Sequence, residues 1–179
     1  RYLAVTGVQT CALPILSETE EGDEVLIQRP VYYPFADSIQ QQKRVVVNSP
    51  LQLRDGRYEI DFADFERKAA SPRCRAFVLS NPHNPVGRVY TEEELRRVGE
   101  ICRRHHVFVI ADEIHSDLIF PGHQHIVFAS LGQNYAENCA VCHAPSKTFN
   151  LAGLSFSCIM IPNEERRKRF YHMLDRKSV

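Results

Sequence analysis

The sequence has 179 residues, of which 44% are hydrophobic and 25% are charged, and this is enough material for one globular core. Its 22 basic and 22 acidic residues cancel, which argues against binding to nucleic acid or to an anionic membrane surface. No apolar run approaches the roughly 20 residues that span a bilayer, and six cysteines are too few for a disulfide scaffold. We therefore expect a cytoplasmic protein that acts on a small molecule.

The sequence alternates between short apolar segments, typical of buried strands, and longer amphipathic segments, typical of helices. In chain order we predict a strand at 24–28, a helix within 31–42, a strand at 45–47, a helix at 62–69, a strand at 75–79, a helix within 91–106, a strand at 107–111, a strand that begins at 140, a strand at 155–161 and a helix at 164–174. Strands separated by crossover helices pair in parallel. The predicted fold class is therefore α/β, with three layers and a mostly parallel mixed sheet between flanking helices.

Residues that suit N-caps mark where three of these helices begin. Asp61 precedes an apolar stripe of helical spacing, Thr91 and Glu94 have the spacing of a capping box, and Asn163 precedes the last helix. The pair Asp55-Gly56 predicts a tight turn before the first of the capped segments.

Polar residues follow three of the apolar strands. Asn84, Asp112 and Lys147 each stand just past such a strand. In an open α/β sheet, ligands bind in the crevice outside the carboxyl ends of the strands, so these three residues are predicted to form one site. Taken singly, each residue has an ordinary alternative: an Asn-Pro turn, an N-capping aspartate and a solvated loop lysine.

Four segments around these residues resemble a known family: RPVYYPF at 29–35, SNPHNPVG at 80–87, ADEIHSDL at 111–118 and APSKTFNLAGL at 144–154. They look like the pyridoxal-phosphate enzymes of the class I/II aminotransferase family, which have fold type I, and most of all like its cystathionine β-lyase (cysteine-S-conjugate β-lyase) branch. The resemblance runs from about residue 20 to about residue 173. It implies the central part of the large domain of that fold, pyridoxal phosphate as cofactor, a small amino-acid substrate and a homodimeric full-length relative.

The resemblance gives the three strand-end residues their roles. Lys147 would be the lysine that forms a Schiff base with the cofactor and moves the α-proton. Asp112 would pair with the protonated pyridine nitrogen, and Asn84 would donate to the phenolic oxygen, with a cis bond to Pro85. We expect Lys147 to be poorly solvated, because burial favours the neutral, nucleophilic form of an amine.

Three more residues take roles from the resemblance. Tyr32 would stack on the cofactor ring, and Tyr33 is its close competitor. His115 stands where aminotransferases of this fold usually carry a tyrosine, a departure that favours the lyase branch. Ser146 would bind the cofactor phosphate, although the earlier hydroxyl expected near Ala144 is absent.

The two ends of the chain depart from the family. Residues 1–17 are predicted to be a foreign leader, because VTGVQTCALPI resembles a translated sequencing adapter, and residues 176–179 a tail of the same kind. Residues 18–175 would then be a partial cofactor-binding domain, without the family's glycine-containing phosphate turn or its C-terminal small domain. The predicted function is a carbon–sulfur β-lyase that depends on pyridoxal phosphate. The alternatives are a class I/II aminotransferase of small amino acids and an inactive fragment that binds the cofactor weakly.

Other motifs are interpreted as structural. Cys139, Cys142 and His143 spell the haem-attachment pattern, but they fall on a predicted buried strand. The histidine pairs at 105–106 and 123/125 lack the carboxylate spacing of a metal site, so no metal is expected. The basic run 166–169 is interpreted as the solvated face of the last helix.

Overall fold

The computed structural model describes residues 9–154 and 156–177. The helices are α1 (Gln9–Glu18), α2 (Pro34–Gln41), α3 (Phe62–Ala69), α4 (Glu92–Arg104), α5 (Gln133–Ala136), α6 (Pro145–Thr148) and α7 (Glu164–Lys177). The strands are β1 (Glu24–Ile27), β2 (Val45–Asn48), β3 (Gln52–Arg54), β4 (Arg57–Glu59), β5 (Cys74–Ser80), β6 (Phe108–Asp112), β7 (Cys139–His143) and β8 (Cys158–Met160). Short 3₁₀ turns cover Phe128–Leu131 and Ala152–Leu154.

The main sheet has six strands in the order β2-β1-β5-β6-β7-β8. Every neighbouring pair is parallel except β7 and β8, which run antiparallel. The connections that carry α2 and α4 each lead from one parallel strand to another, as crossover connections do. The predicted α/β class with a mostly parallel mixed sheet is confirmed.

Two apolar layers cover the two faces of this sheet. In β5, Phe77 packs in the layer that holds α3 and α4, and Val78 packs in the layer that holds α1, α2 and α7. Neighbouring residues divide in this way because successive side chains of a strand point to opposite faces. Phe65 of α3 and Ile39 of α2 are fully buried in these two layers. The sheet therefore forms the middle of three layers.

The local start signals have the predicted geometry. The Asp61 carboxylate accepts from the Asp64 amide at 3.0 Å. Thr91 and Glu94 form a complete capping box, in which each side chain accepts from the backbone amide of the other. The Asn163 side chain accepts from the third residue beyond it at 2.9 Å. A cap needs only residues a few positions apart, which is why sequence alone locates it.

The predicted strand at 155–161 is wrong in extent. Residue 155 lies outside the described residues, and a strand forms only at Cys158–Met160. This strand is the sheet edge and pairs on one side only, with three residues of β7, so pairing ends where β7 ends. The predicted helix within 91–106 likewise stops at Arg104, because His106 has a left-handed backbone with φ of 58°.

The last helix is bound to the first by charged side chains. Glu18, at the end of α1, accepts hydrogen bonds from Arg166 and Arg169 of α7. The guanidinium of Arg166 also lies over the Phe108 ring, 4.6 Å from its centroid. The basic run is therefore only partly a solvated face, and that expectation is wrong for Arg166, whereas Arg169 is exposed. Residues 9–17 pack as part of α1, and their foreign origin stays a prediction.

A glycine in α4 lets a neighbouring aromatic ring approach the helix. A Cβ added at Gly99 would lie 2.5 Å from the Tyr135 ring. We expect Gly99→Ala to lower the free energy of unfolding by about 1 kcal/mol, because overpacking costs roughly 1–3 kcal/mol and improved helix propensity offsets about 1 kcal/mol. Urea unfolding would measure this change. In a Tyr135→Ala background the loss should be smaller, because only the Phe128 ring, 3.2 Å from the added Cβ, would still be crowded, and an equal loss in both backgrounds would contradict the packing explanation.

Candidate active site

The carboxyl ends of three central strands lie side by side. Ser80 at the end of β5 is paired with Asp112 at the end of β6, and Asp112 is paired with Cys142 of β7. Because these strands are parallel and in register, the loops that follow them all leave the sheet at the same side, where the carboxyl ends of the strands lie. The β5, β6 and β7 loops carry Asn84, His115 and Lys147.

A cavity of about 230 Å³ lies at this edge. All six predicted site residues border it: Tyr32, Asn84, Asp112, His115, Ser146 and Lys147. Sequence reasoning missed other lining residues, among them Phe35, Ser80, His143 and Phe156. Phe35 and Ser80 sit within or beside the family motifs, so proximity in sequence could have suggested them. Phe156 belongs to a segment predicted as strand, and only the folded chain places it here.

Asp112 contributes a carboxyl group to the cavity. It is the last residue of β6, one carboxylate oxygen accepts from the Ile114 amide at 3.2 Å, and its backbone oxygen accepts from the Asn81 amide. Burial raises the pKa of Asp112 to about 6, and the nearby charge of Glu113 adds to the effect. The hydrogen bond from the Ile114 amide is a contact within a turn, so the alternative interpretation of Asp112 as a capping aspartate is partly correct. A carboxylate this poorly solvated favours a cationic partner.

Lys147 lies on α6, the short helix that follows β7. The neighbouring Thr148 hydroxyl donates to the Asp117 carboxylate at 2.7 Å, which ties α6 to the loop after β6. The Lys147 side chain reaches the cavity, but the residue is exposed. The expectation that this chain buries Lys147 is wrong, because the apolar residues after it, Phe149 and Leu154, point to solvent.

The loop after β5 is built around prolines. The bond between Asn84 and Pro85 is cis, as predicted, and Asn81-Pro82 is cis as well. The Asn84 amide donates to the Ser80 hydroxyl at 3.3 Å, so the start of the loop folds back on the strand end. This arrangement sets Asn84 at the cavity wall, while Asn81 is fully buried beneath it.

The structure separates the two competing tyrosines. Tyr32 borders the cavity and its ring lies edge-on to Phe35, with centroids 5.6 Å apart. Tyr33 lies outside the cavity and is 76% exposed, compared with 38% for Tyr32. The position expected for a stacking ring is therefore that of Tyr32.

His115 and Ser146 complete the predicted set. Burial lowers the pKa of His115, and the positive charge of Lys147 lowers it further. A neutral imidazole can both donate and accept a hydrogen bond, which suits a group beside an oxygen of a ligand. Ser146 directly precedes Lys147 on α6 and presents its side chain at the same cavity.

The haem and metal alternatives find no support in the geometry. Cys139 packs in the layer with α3 and α4, whereas Cys142 packs in the layer with α1 and α2, so the two thiols lie on opposite faces of the sheet. One haem cannot bridge them. Within 9–154 and 156–177, no group of three or more His, Cys, Asp or Glu side chains could hold a metal ion. Nor is any helix in that part of the chain both long and apolar enough to cross a membrane.

The residues of the cavity fit pyridoxal phosphate by their chemistry. A primary amine suits its aldehyde, and a carboxylate whose pKa is raised by burial suits a protonated ring nitrogen. Lys147 and Asp112 supply these two groups. An aromatic wall at Tyr32 suits a flat heteroaromatic ring.

Comparison with known proteins agrees with this chemistry. A family model described as aminotransferase class I and II matches residues 6–176. Cystathionine beta-lyase PatB of Bacillus subtilis is 45% identical over 174 residues, which make up 97% of this chain and 45% of PatB. The crystal structure of cystalysin from Treponema denticola, which contains pyridoxal 5′-phosphate, has a TM-score of 0.91 and 39% identity, and the match covers 94% of this chain and 43% of cystalysin.

A second solved structure gives the same result. The pyridoxal-phosphate-bound C-S lyase of Staphylococcus hominis has a TM-score of 0.91 and 36% identity, and the match covers 96% of this chain and 45% of the lyase. Aminotransferases are related as well. This chain spans less than half the length of the relatives described. On the family model and the 45% identity to PatB, the chain belongs to the class I and II aminotransferase family, whose enzymes depend on pyridoxal phosphate.

Proposed function

We propose that the protein is a carbon–sulfur β-lyase that splits a cysteine-type thioether, with water, into a thiol, pyruvate and ammonia. One observation carries the proposal: Lys147, Asp112 and Asn84 meet in one cavity of a chain that is 45% identical to a cystathionine beta-lyase. His115, in place of the tyrosine usual in aminotransferases of this fold, supports the lyase branch.

The residues of the cavity would hold the cofactor from several sides. The Asp112 carboxylate would accept a hydrogen bond from the protonated ring nitrogen, and the Asn84 amide would donate to the phenolic oxygen. Tyr32 would cover one face of the ring, and Ser146 would donate to the phosphate. Pyridoxal phosphate, when bound, supplies an electron sink for the pair left by breaking the Cα–H bond.

Lys147 would carry the proton. Its amine would hold the cofactor through the aldehyde group, and once released from that role it would be the base nearest the substrate. The free amine then takes the α-proton of the substrate. The electron pair from the Cα–H bond forms a Cα–Cβ double bond as the Cβ–S bond breaks, and the leaving thiolate takes the proton back from Lys147 to give the thiol. Water converts the remaining three-carbon fragment to pyruvate and ammonia.

Product analysis tests the proposal and its main alternative. The purified chain is incubated with pyridoxal phosphate and L-cystathionine or S-methyl-L-cysteine, with and without 2-oxoglutarate. A lyase releases thiol and pyruvate in equal amounts without the oxo acid, and Lys147→Ala removes both products. Glutamate formed only when 2-oxoglutarate is present would indicate an aminotransferase instead. No product from either assay would mean that this length of chain does not catalyse the reaction.

The two tyrosines give a prediction about cofactor affinity. We expect Tyr32→Ala to weaken binding of pyridoxal phosphate about fivefold, because stacking contributes on the order of 1 kcal/mol. Tyr33→Ala is the matched control, since Tyr33 lies outside the cavity, and its effect should stay below about twofold. Fluorescence titration of each variant measures the dissociation constants. An equal loss in both variants would contradict a stacking role for Tyr32.

Further proposals concern assembly and compartment. The turn that carries Lys147 leaves Phe149, Leu151 and Leu154 between 41% and 69% exposed, and exposed apolar residues of this kind support a homodimer in the longer protein. Light scattering would measure the molar mass of the longer protein and so test for the homodimer.

All six cysteines lie within the described residues as thiols rather than disulfides, which supports a cytoplasmic location. We expect no partner among nucleic acids or membranes, given the balanced charge.

A further inference from the structure

A buried histidine connects two of the loops that form the cavity. His83, in the loop after β5, is 2% exposed. Its Nε2 lies 2.8 Å from the carbonyl oxygen of Pro30, in the loop after β1. Its Nδ1 lies 2.8 Å from the hydroxyl of Tyr90. His83 itself does not border the 230 Å³ cavity.

The partners fix the state of the imidazole ring. A carbonyl oxygen can only accept, so Nε2 carries a proton and donates to Pro30. Burial lowers the pKa of His83 to about 4, so the ring is neutral at physiological pH and Nδ1 is an acceptor. Burial also raises the pKa of Tyr90, so its hydroxyl keeps the proton that it donates to Nδ1. Both ring nitrogens are therefore satisfied in one defined tautomer.

The hydrogen bonds that link Pro30, His83 and Tyr90 form a bridge between the two loops. Tyr90, at one end of this bridge, is held in place by further contacts. The residue is 1% exposed, and its backbone amide donates to the side-chain oxygen of Asn81 at 3.1 Å. The guanidinium of Arg88 lies over its ring, 4.6 Å from the centroid. The Asn81 amide in turn donates to the backbone oxygen of Asp112, at the end of β6. The bridge is thus connected by hydrogen bonds to the carboxyl end of β6, where the cavity lies.

The bridge ends close to two cavity residues. Pro30 stands two positions before Tyr32, and His83 stands directly before Asn84. We infer that His83 is a positioning residue, which sets the distance between the loop of Tyr32 and the loop of Asn84 and so shapes the cavity for the cofactor. The inference rests on the proposed function for the identity of the ligand. The connection between the loops is a property of the chain without ligand.

Two variants of His83 separate positioning from general stability. His83→Phe keeps a buried ring of similar size but removes both hydrogen bonds. His83→Gln keeps a side-chain N–H that can donate to Pro30, and it serves as the conservative rescue. His172→Phe is the control, since His172 is exposed on α7. Tyr90→Phe removes only the hydroxyl that the bridge uses.

Hydrogen exchange of the ligand-free chain is the first measurement. In His83→Phe we expect exchange in 29–36 and 81–90 to speed up at least about tenfold, while exchange in β6 and α4 changes less than twofold. Tyr90→Phe should give the same pattern more weakly, and His83→Gln should restore slow exchange in 29–36. Faster exchange throughout the molecule, or no change in 29–36, would overturn the inference.

Titration with pyridoxal phosphate is the second measurement. We expect a five- to twentyfold weaker dissociation constant in His83→Phe, partial recovery in His83→Gln and no change in His172→Phe. Unchanged affinity in His83→Phe would overturn the role in shaping the cavity. If the unsubstituted chain does not bind the cofactor, the proposed function fails, and the exchange experiment still decides whether His83 holds the two loops together.

Discussion

Borohydride reduction of the chain with a small excess of pyridoxal phosphate is expected to place the label almost entirely on Lys147. The chain has other lysines, and any exposed amine can react slowly with an aldehyde. At Lys147 the aldehyde would be held by Asp112, Asn84 and Tyr32 in the same cavity, so its effective concentration there is far higher. Peptide mapping by mass spectrometry would measure the share of label on each lysine.

The matched control for this experiment is Lys168→Ala. The Lys168 ammonium pairs with Glu164 at 2.7 Å on the surface of α7. Total label should be unchanged in Lys168→Ala and should fall more than about tenfold in Lys147→Ala. Label spread over the surface lysines in proportion to their exposure would mean that the cavity does not hold the cofactor.

Substitution of Asp112 by asparagine is expected to stabilise the ligand-free chain while it weakens cofactor binding. Burial raises the pKa of Asp112 from the ordinary value of 3.8 to about 6. The folded chain therefore binds this proton more tightly than the unfolded chain does. Asp112 costs no stability below about pH 4, but its ionisation destabilises the folded chain progressively between about pH 4 and pH 6. Above pH 6 the whole cost, on the order of 3 kcal/mol, is present.

Asparagine avoids that cost because it cannot ionise, and its side-chain oxygen can still accept from the Ile114 amide. We expect Asp112→Asn to raise the free energy of unfolding by about 3 kcal/mol at pH 7.5 and to have little effect at pH 4. Cofactor affinity at pH 7.5 should fall about 100-fold, because the protonated ring nitrogen loses its buried counter-charge. Urea unfolding across this pH range and fluorescence titration would measure the two effects.

Asp64 provides a control with the opposite sign. Burial alone would raise its pKa, but hydrogen bonds from Lys68 and Ser49 outweigh burial and lower it. Ionised Asp64 therefore stabilises the fold at neutral pH, and that stabilisation is lost as the pH falls through its folded pKa. Asp64→Asn should destabilise the chain at pH 7.5, converge with the parent at low pH and leave cofactor affinity unchanged. If Asp112→Asn also destabilised the chain at pH 7.5, its carboxylate would not be the desolvated group described above.

Opposite effects of one substitution on stability and affinity are typical of a functional site. A buried side chain whose charged partner is the ligand is poorly solvated in the ligand-free protein, and this lowers the free energy of unfolding. In this chain the burial of apolar side chains in the two layers, among them the fully buried Phe65 and Ile39, offsets that loss of stability. Lys147, by contrast, stays exposed beside the cavity, because the side chains of Phe149 and Leu154 do not cover it.

The sequence by itself determined most of the elements and the candidate residues, but it did not predict α1, the β3–β4 hairpin or α5. Capping contacts at Asp61, Thr91 and Asn163 join residues three positions apart, so they are readable without a fold. The same holds for the strands that place Asn84 and Asp112 at their ends, because apolar runs and turn residues are local patterns.

Only the tertiary structure decided how these residues are solvated and which of them meet. The choice of Tyr32 over Tyr33, the raised pKa of Asp112 and the exposure of Lys147 depend on segments far apart in the sequence. The same is true of the bridge from His83 to Pro30, which spans 53 positions of the chain. Desolvation and hydrogen bonding across loops are set by which groups the folded sheet brings together, and no local pattern carries that information.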